Sequence, residues 1–351
     1  MGEVKNLNSP IALIMAGGSG TRFWPLSQKN LPKQYLRFSG DKSLIQQTVD
    51  RVRPLCKTED IYISSSGTQK SLLQEHLPDI SNLILEPTPK NTAACLMLSA
   101  AHLLKRGYAP STPMMVFPAD HAIGNTAHFL ELLKQAVAFA SSRDCLVTLG
   151  IIPTAPHTGY GYIEAGAKPV LSGVFPVQRF TEKPDKKTAE GFLKRGGYFW
   201  NSGIFIWTLG SIAAAFESFV GENWKRILES DSEESLKSVF NSLPSLPIDT
   251  AVMEKASNVF VIPAGDLKWS DLGSWSALFE LKTENPSDNV FLSENVKHID
   301  SHGCLVQVSS GIKVALIGTE NLVVIEHNGN LLIADKSLDQ KVKDISQQFE
   351  A

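Results

Sequence analysis

Cysteine is scarce in this sequence and never occurs in the paired spacings that bind metal or perform redox chemistry. The four cysteines, among 351 residues, are far apart and form no Cys-x-x-Cys pair. This excludes a zinc knuckle and a thioredoxin-type motif. Four buried free thiols in a reducing compartment are the simplest interpretation, and they predict a cytoplasmic protein.

Long apolar runs are lacking as well. The longest early run, residues 11–16, is far shorter than the ~20 residues that a membrane-spanning helix needs. It also lacks the flanks of a secretory signal peptide. Both observations predict a protein without membrane attachment and agree with a cytoplasmic location.

A surplus of positive charge is also absent, since the formal net charge is −3. Proteins that bind nucleic acid usually carry a basic surplus, so a nucleic-acid partner is not predicted. A small anionic substrate needs only a local basic patch and stays compatible with this charge. The 43% hydrophobic and 20% charged residues indicate a globular enzyme and argue against a disordered chain.

Strand-like apolar runs alternate with helical patterns in the first part of the chain. Strands are expected at residues 11–16, 60–64, 83–85, 114–117 and 145–150, and helices at residues 43–52, 92–104 and 127–141. This alternation predicts an α/β fold, a doubly wound and mostly parallel sheet with helices on both faces. Such folds bind ligands at the carboxyl ends of their strands.

The pattern changes after about residue 285. Short β-rich pieces at residues 314–317, 322–325 and 331–333 are separated by Gly318 and by the hairpin signal Asn328-Gly329. A short helix is expected near residues 339–349. We therefore predict a catalytic domain over residues 1–285 and a small C-terminal β-rich domain over residues 286–351. A repeat long enough for a solenoid is not evident.

The most informative segment is a glycine-rich loop, residues 16–25, which reads Ala-Gly-Gly-Ser-Gly-Thr-Arg-Phe-Trp-Pro. Glycines let backbone N–H groups approach phosphates closely. Arg22 and Lys33 would add charge-assisted hydrogen bonds, which a bare tight turn does not explain. Phe23 replaces the third glycine of the dinucleotide fingerprint, and the loop has no Gly-Lys-Ser/Thr ending. A nicotinamide dehydrogenase and a P-loop ATPase are therefore disfavoured.

Two aspartates lie in loops at the expected ligand-binding edge. Asp120 follows a predicted strand in Pro-Ala-Asp-His, and Asp271 lies in Trp-Ser-Asp-Leu-Gly. Two carboxylates, together with phosphate oxygens and waters, are the ligands that Mg²⁺ prefers. The alternatives are a loop cap at Asp120 and an Asx turn before Gly273.

These motifs together resemble sugar-nucleotide pyrophosphorylases. Residues 17–22, running on to Pro-Lys-Gln at residues 32–34, are similar to that family's signature, and Phe-Trp-Pro-Leu-Ser at residues 23–27 resembles its mannose-1-phosphate guanylyltransferase branch. The resemblance implies a Rossmann-like nucleotidyltransferase fold, Mg²⁺ as cofactor, and GTP and mannose 1-phosphate as substrates. Longer relatives carry a phosphomannose isomerase domain, and that activity is not expected here.

The resemblance also implies roles for residues at matching positions. The nucleotide would contact Ala16, Gly17, Gly18, Ser19, Gly20, Thr21, Glu86, Asn91, Thr92 and Asp120. The sugar phosphate would contact Gly161, Glu164, Glu182, Lys183, Asn201 and Gly203. The catalytic residues would be Arg22, Lys33, Lys183 and Asp120, and the metal ligands Asp120 and Asp271. Capping of a helix is an alternative role for Asn91 or Thr92.

One further segment, residues 247–255, resembles the same branch, although Thr250 stands where tyrosine is usual. Asp249 is assigned no catalytic role, because it can equally cap the helix that follows.

Two other functions stay open. One is transfer from UTP or dTTP to glucose 1-phosphate, and the other is a non-catalytic sugar-nucleotide-binding regulator. Residues 23–25 and 86–91 favour guanine and mannose, and the presence of Arg22, Lys33 and Lys183 argues against loss of catalysis. A homodimer that pairs through an exposed β tail is a further hypothesis.

Overall fold

The structure is a computed structural model that describes residues 9–18, 21–38 and 40–350, apart from the side chains of Thr21 and Glu350. The predicted nucleotide contacts Ser19 and Gly20 lie outside the described residues. Two compact units make up the chain. Unit 1 comprises Met1–Gly17, Gln46–Ala119 and Ile123–Leu267, and unit 2 comprises Gly18–Ile45, Asp120–Ala122 and Lys268–Ala351.

Strands and helices of the described residues are numbered in chain order. The strands are β1 (Ile11–Met15), β2 (Ile61–Ser66), β3 (Leu83–Glu86), β4 (Pro113–Pro118), β5 (Ala122–Ile123), β6 (Leu146–Ile151), β7 (Tyr162–Ala165), β8 (Phe175–Thr181), β9 (Tyr198–Thr208), β10 (Val259–Pro263), β11 (Trp269–Ser270), β12 (Val290–Phe291), β13 (Val296–Ile299), β14 (Leu305–Gln307), β15 (Val314–Ile317), β16 (Leu322–His327) and β17 (Asn330–Asp335). The α-helices are α1 (Leu44–Val52), α2 (Lys70–His76), α3 (Asn91–Lys105), α4 (Thr126–Ser141), α5 (Lys186–Arg195), α6 (Leu209–Glu229), α7 (Glu233–Ser242), α8 (Trp275–Lys282) and α9 (Val342–Glu350). Among these helices, none is both long and apolar enough to cross a bilayer.

Unit 1 is built on a nine-stranded sheet of order β3-β2-β1-β4-β9-β6-β10-β8-β7. β1 runs parallel to β2 and β4, and its residues 11–14 are fully buried, as expected for a central strand. The predicted α/β fold class is confirmed. The strand directions differ in part from the prediction, because β9 runs antiparallel to both β4 and β6, and β8 runs antiparallel to both β10 and β7. β7, β8 and β9 were not predicted as strands. Their antiparallel pairings were therefore not considered when a mostly parallel sheet was expected.

The carboxyl ends of β1 and β4 lie side by side. Ala119 N donates to Met15 O at 3.0 Å, and Ala16 N donates to Ser64 O at 2.7 Å. The chain leaves unit 1 at this edge in both places, after Gly17 and after Ala119. The glycine-rich loop and Asp120 therefore both begin where the sequence predicted the ligand-binding edge of the sheet.

The C-terminal part of unit 2 is a short stack of parallel β coils. Residues one coil apart lie side by side, as Leu305 does with Val290 and Val323. β16 and β17 form a hairpin around Asn328 and Gly329, which both have positive φ. The predicted small β domain and its hairpin are confirmed. The coils were not expected, because so few of them leave no repeat that stands out in the sequence.

A single hydrophobic cluster joins the signature segment to the C-terminal residues within unit 2. Phe23 packs against Phe38 and Trp275, with ring centroids 4.7 and 4.8 Å apart, and the same cluster contains Leu305 and Val323. The signature segment therefore folds together with the C-terminal β coils. The boundary between residues 285 and 286 stays a prediction, and these compact units divide the chain differently.

Asp339 fixes the start of α8, the helix that follows Asp271. Its buried carboxylate accepts hydrogen bonds from both the backbone N and Oγ of Ser276, each at 2.7 Å. We expect Asp339→Ala to destabilise the protein by about 1–3 kcal/mol, because a backbone N–H loses its acceptor in a buried place. Chemical denaturation measures this, with the exposed Glu284→Ala as a control that should change stability by less than about 0.5 kcal/mol. Equal stability of the two variants would contradict the capping role.

Candidate active site

Lys33 lies at the centre of a charged group in unit 2. It begins the short helical turn Lys33–Tyr35, and only 7% of its side chain is exposed. Its Nζ donates to Asp120 Oδ2 at 2.9 Å and to the main-chain oxygen of Asp271 at 2.5 Å. One ammonium therefore joins the residues that the sequence predicted as metal ligands.

Asp120 carries a negative charge at neutral pH. Burial by itself would raise the pKa of this carboxyl, but the nearby positive charge of Lys33 and the contribution of His121 outweigh burial, and the pKa is lowered overall. Its side chain is still 35% exposed, so a ligand can reach it. His121 Nδ1 accepts a hydrogen bond from Trp269 Nε1 at 3.2 Å, which gives that ring a structural contact.

The Asp271 carboxylate is held by the loop that carries it. Its Oδ1 accepts a hydrogen bond from Gly273 N at 3.1 Å, so the Asx turn considered from the sequence is present. A Cβ at Gly273 would lie 2.7 Å from Asp271 Oδ2, so a side chain at this position would collide with the carboxylate. The turn fixes the orientation of Asp271, and it is compatible with a ligand role.

The two aspartates fit a divalent cation that substrate helps to bind. Within the described ranges, no group of three or more His, Cys, Asp or Glu side chains could hold a metal ion without further ligands. Mg²⁺ in phosphate-transferring sites is usually bound by one or two carboxylates, and phosphate oxygens and waters complete its shell. Lys33 already places a positive charge against Asp120 and the backbone of Asp271. The two carboxylates are of the chemical type that Mg²⁺ takes, and the metal assignment stays a prediction.

Arg22 and Gly18 belong to the glycine-rich loop in the same unit. Arg22 is exposed in the turn Thr21–Phe23 and can reach a ligand from solvent. The main-chain oxygen of Gly18 accepts a hydrogen bond from Gln34 Nε2 at 3.1 Å. Gln34, which was not assigned to the site from the sequence, thus holds the Pro-Lys-Gln segment against the loop by this hydrogen bond.

Glu86 is a buried acid at the end of β3 in unit 1. Burial raises the pKa of its carboxyl, and hydrogen bonds from Cys95 and Ser64 partly offset that rise. A Cβ added to Gly17 would lie 3.7 Å from Glu86 Oε1, so the acid is next to the start of the glycine-rich loop. The contact of Glu86 with the nucleotide stays a prediction.

Asn91 and Thr92 start helix α3 and make local contacts. Asn91 has a φ of 69°, and its Oδ1 accepts from Thr92 N at 2.8 Å. Thr92 Oγ1 accepts from Ile248 N at 2.7 Å, and Ala93 N donates to Leu246 O. The start of α3 therefore holds residues 246–248 in place, a structural role that leaves the hydroxyl proton of Thr92 available as a donor.

Five of the six predicted sugar-phosphate contacts lie together in unit 1. Glu182 Oε1 is 2.8 Å from Lys183 Nζ, and the Lys183 side chain is 60% exposed. A Cβ on Gly161 would lie 2.8 Å from Glu182 Oε2, so a larger residue there would displace the Glu182 carboxylate. Asn201 N donates to Gly161 O at 2.8 Å, and Gly203 N donates to Asn201 Oδ1 at 3.2 Å.

Glu164 is the sixth predicted contact, and the structure does not bring it to this group. In the pairing of β7 with β9, Glu164 lies opposite Tyr198. Side chains alternate between the two faces of a strand, so Tyr198 and Asn201, three positions apart on β9, point to opposite faces. Glu164 lies beside the Tyr198 hydroxyl instead. The sequence motif located Gly161 but did not show which face of β7 carries Glu164.

The structure adds Asp249, which was assigned no catalytic role from the sequence. Asn201 Nδ2 donates to Asp249 Oδ1 at 2.8 Å. Asp249 begins the π-helical turn Asp249–Met253, where burial and the neighbouring charge of Glu182 raise its pKa to about 7. The segment around Asp249 was recognised in the sequence, but no local pattern shows that it meets a residue 48 positions earlier.

These features define a nucleotidyltransferase type of fold and site. A glycine-rich loop follows β1, an aspartate follows β4, and Lys183 follows β8, where its ammonium pairs with Glu182. The Nucleotidyl transferase family model matches residues 11–287. A model described as the MannoseP isomerase/GMP-like beta-helix domain matches residues 294–349, in agreement with the parallel coils.

Comparison with individual proteins shows which branch of the nucleotidyl transferase family this chain resembles. The xanthan biosynthesis protein XanB of Xanthomonas campestris pv. campestris (strain B100) is 34% identical over 360 residues, covering 98% of this chain and 74% of XanB. A mannose-1-phosphate guanylyltransferase of Escherichia coli is 35% identical over 363 residues, covering 98% of this chain and 76% of the relative. A crystal structure from Thermus thermophilus, described as a mannose-1-phosphate geranyltransferase, aligns with a TM-score of 0.88 at 32% identity, covering 98% of this chain and 100% of that one. The chain therefore belongs to the nucleotidyl transferase family, in its mannose-1-phosphate guanylyltransferase branch, and it is an enzyme, as predicted.

Proposed function

We propose that this protein transfers GMP from GTP to α-D-mannose 1-phosphate, giving GDP-mannose and pyrophosphate. The observation that carries the proposal is the Lys33 ammonium bound to Asp120 beside a glycine-rich loop, in a chain of this family. The name of the Escherichia coli relative supports the choice of mannose 1-phosphate and of the guanylyl group.

The nucleophile in this reaction needs no general base. A sugar phosphate has a second pKa near ~6, so at neutral pH it is mostly a dianion. One of its oxygens attacks the α-phosphorus of GTP in line, and pyrophosphate leaves. The enzyme must therefore align two anions and neutralise charge, which requires fixed cations and hydrogen-bond donors.

We assign the binding of the phosphates of GTP to the glycine-rich loop and to Lys33. Backbone N–H groups of Gly17 and Gly18 would bind triphosphate oxygens, and exposed Arg22 would hold two oxygens at once. Lys33 uses two of its three N–H donors on Asp120 and Asp271, so the third is available to stabilise the leaving pyrophosphate. When Mg²⁺ is bound by Asp120 and Asp271, it supplies charge neutralisation on the phosphates.

The sugar end is assigned to the group around Asn201. Lys183, which is largely exposed, would bind the phosphate of mannose 1-phosphate. Glu182 would accept hydrogen bonds from sugar hydroxyls, and Asn201 would donate one. The missing side chain at Gly161 leaves room for the Glu182 carboxylate, and the missing side chain at Gly203 would leave room for the ring. Glu164 is left out of this group because it points to the other face of β7.

The base is assigned to Glu86. The edge of guanine carries two adjacent N–H donors, whereas the corresponding edge of uracil or thymine carries one N–H between two carbonyl oxygens. A buried carboxylate next to the loop pairs better with the guanine edge, because carbonyl oxygens would face it with like partial charge. Asn91 and Thr92 add further polar groups at the start of α3.

Product analysis tests the proposal directly. Purified protein is incubated with GTP, mannose 1-phosphate and Mg²⁺, and the mixture is separated by anion exchange and identified by mass. GDP-mannose and pyrophosphate in equal amounts are expected. Bound nucleotide without any product would contradict the proposal and support the alternative of a non-catalytic regulator that binds sugar nucleotides.

A cytoplasmic location and a homodimer stay proposals, and a monomer mass in light scattering would contradict the dimer.

A further inference from the structure

We propose that Asp249 is a positioning residue of the sugar site, which holds the Asn201 amide so that its second N–H faces a hydroxyl of the sugar phosphate. The inference rests on the proposed function. Asp249 contacts Asn201 in the sugar group, but it was assigned no part in the phosphate chemistry or in the sugar contacts.

The hydrogen bonds of Asn201 fix the orientation of its amide. Asn201 Oδ1 accepts from Thr148 Oγ1 at 3.0 Å and from Gly203 N at 3.2 Å. The backbone N–H of Gly203 can only donate, so the oxygen of the amide must be on this side and the nitrogen on the other. Asn201 Nδ2 then donates one of its two hydrogens to Asp249 Oδ1 at 2.8 Å. One N–H remains, and its direction is set by these three bonds.

Asp249 is itself held from a second direction. Residue 248 donates its backbone N–H to Thr92 Oγ1, and Ala93 N donates to Leu246 O, so the chain before Asp249 is fastened to the start of α3. The π-helical turn Asp249–Met253 follows at once. π-helical turns of this kind occur often at functional sites. The carboxylate thus has a rigid support and is suited to orient Asn201.

The charged residues around Asp249 favour a role in hydrogen bonding over a role as the negative partner of an ion pair. Glu182 and Glu254 bring negative charge to the same place, and Glu254 Oε1 accepts from Glu182 N at 3.0 Å. Lys183 is the nearby positive charge. With burial, these acids keep the pKa of Asp249 near 7, so a neutral carboxyl is well populated at neutral pH. A neutral carboxyl still accepts the Asn201 N–H through its carbonyl oxygen, and the Asp249→Asn side chain resembles it.

Steady-state kinetics of three full-length variants separates positioning from other roles. We expect Asp249→Ala to raise the KM for mannose 1-phosphate about tenfold, the loss that one positioning hydrogen bond represents. The KM for GTP should stay within about twofold. Asp249→Asn should restore the KM for mannose 1-phosphate to within about threefold of wild type, because its amide oxygen accepts the same N–H. The exposed Asp231→Ala is the matched control and should behave as wild type.

A double-mutant cycle completes the test. If Asp249 acts through Asn201, then Asp249→Ala adds little to Asn201→Ala. Melting curves check folding, and Asp249→Ser, which is too short to reach Asn201, replaces the alanine variant if that one is unfolded. Equal rises in both KM values, an Asp249→Asn variant as impaired as Asp249→Ala, or full additivity with Asn201→Ala would each overturn the inference. Absence of wild-type turnover with mannose 1-phosphate would instead contradict the proposed function.

Discussion

Lys33→Ala is expected to lower kcat for GDP-mannose formation by about 10²-fold or more, the size of effect that follows removal of a preorganised electrostatic contact. Lys33 is a buried cation whose ammonium binds Asp120 and the backbone of Asp271. Its removal takes away the proposed donor to the pyrophosphate and the group that holds the two aspartate segments together. Single-turnover measurements should show the loss in the chemical step.

Two further variants show whether the loss of kcat is specific to position 33 and to its ammonium group. Lys29→Ala removes an exposed lysine a few residues earlier and should leave kcat unchanged. Lys33→Arg keeps the charge but replaces a compact ammonium by a planar group, so we expect only partial recovery. Because Asp120 is still 35% exposed, it can be solvated without Lys33, and the alanine variant should fold. A folded Lys33→Ala enzyme with wild-type kcat would remove Lys33 from the mechanism.

Asp120→Asn is expected to raise the Mg²⁺ concentration for half-maximal activity by at least about tenfold. Loss of an outer-shell partner already costs that much at metal sites, and a direct ligand should cost no less. The asparagine is nearly the same size and can still accept from Lys33, so the fold should be kept. Titration of activity against Mg²⁺ at fixed GTP measures the change.

The control for this experiment is a surface acid. Asp79→Asn breaks an ion pair with Arg53 on an exposed part of unit 1 and should leave the Mg²⁺ titration unchanged. Normal magnesium activation of Asp120→Asn would show that the metal assignment is wrong.

Local patterns in the sequence were sufficient for the central features of the fold. The apolar run of β1 and the glycines after it predict a buried strand entering a loop, because burial and backbone freedom depend on neighbouring residues. The positions of Asp120 and Gly161 follow from the same local reasoning. Hydrophobic residues of α3 and α4 likewise gave helices close to those observed.

The features that were missed all depend on pairing between distant segments. β9 lies between β4 and β6 in an antiparallel direction, which no local pattern encodes. The face of β7 that carries Glu164 is decided by its register with β9. Asp249 meets Asn201 only after the sheet and the start of α3 are in place. The shared core of the signature segment and the C-terminal coils also joins residues remote in sequence.

The most direct test of the guanylyltransferase function is pyrophosphate release by the wild-type protein with Mg²⁺, with GTP, ATP, UTP and dTTP each crossed against mannose and glucose 1-phosphates. We expect release mainly with GTP and mannose 1-phosphate. Release with UTP or dTTP and glucose 1-phosphate would keep the residues of the phosphate chemistry but contradict the roles given to Glu86 and to the sugar group. No release from any pair, with nucleotide still bound, would contradict the central claim that this chain is a guanylyltransferase.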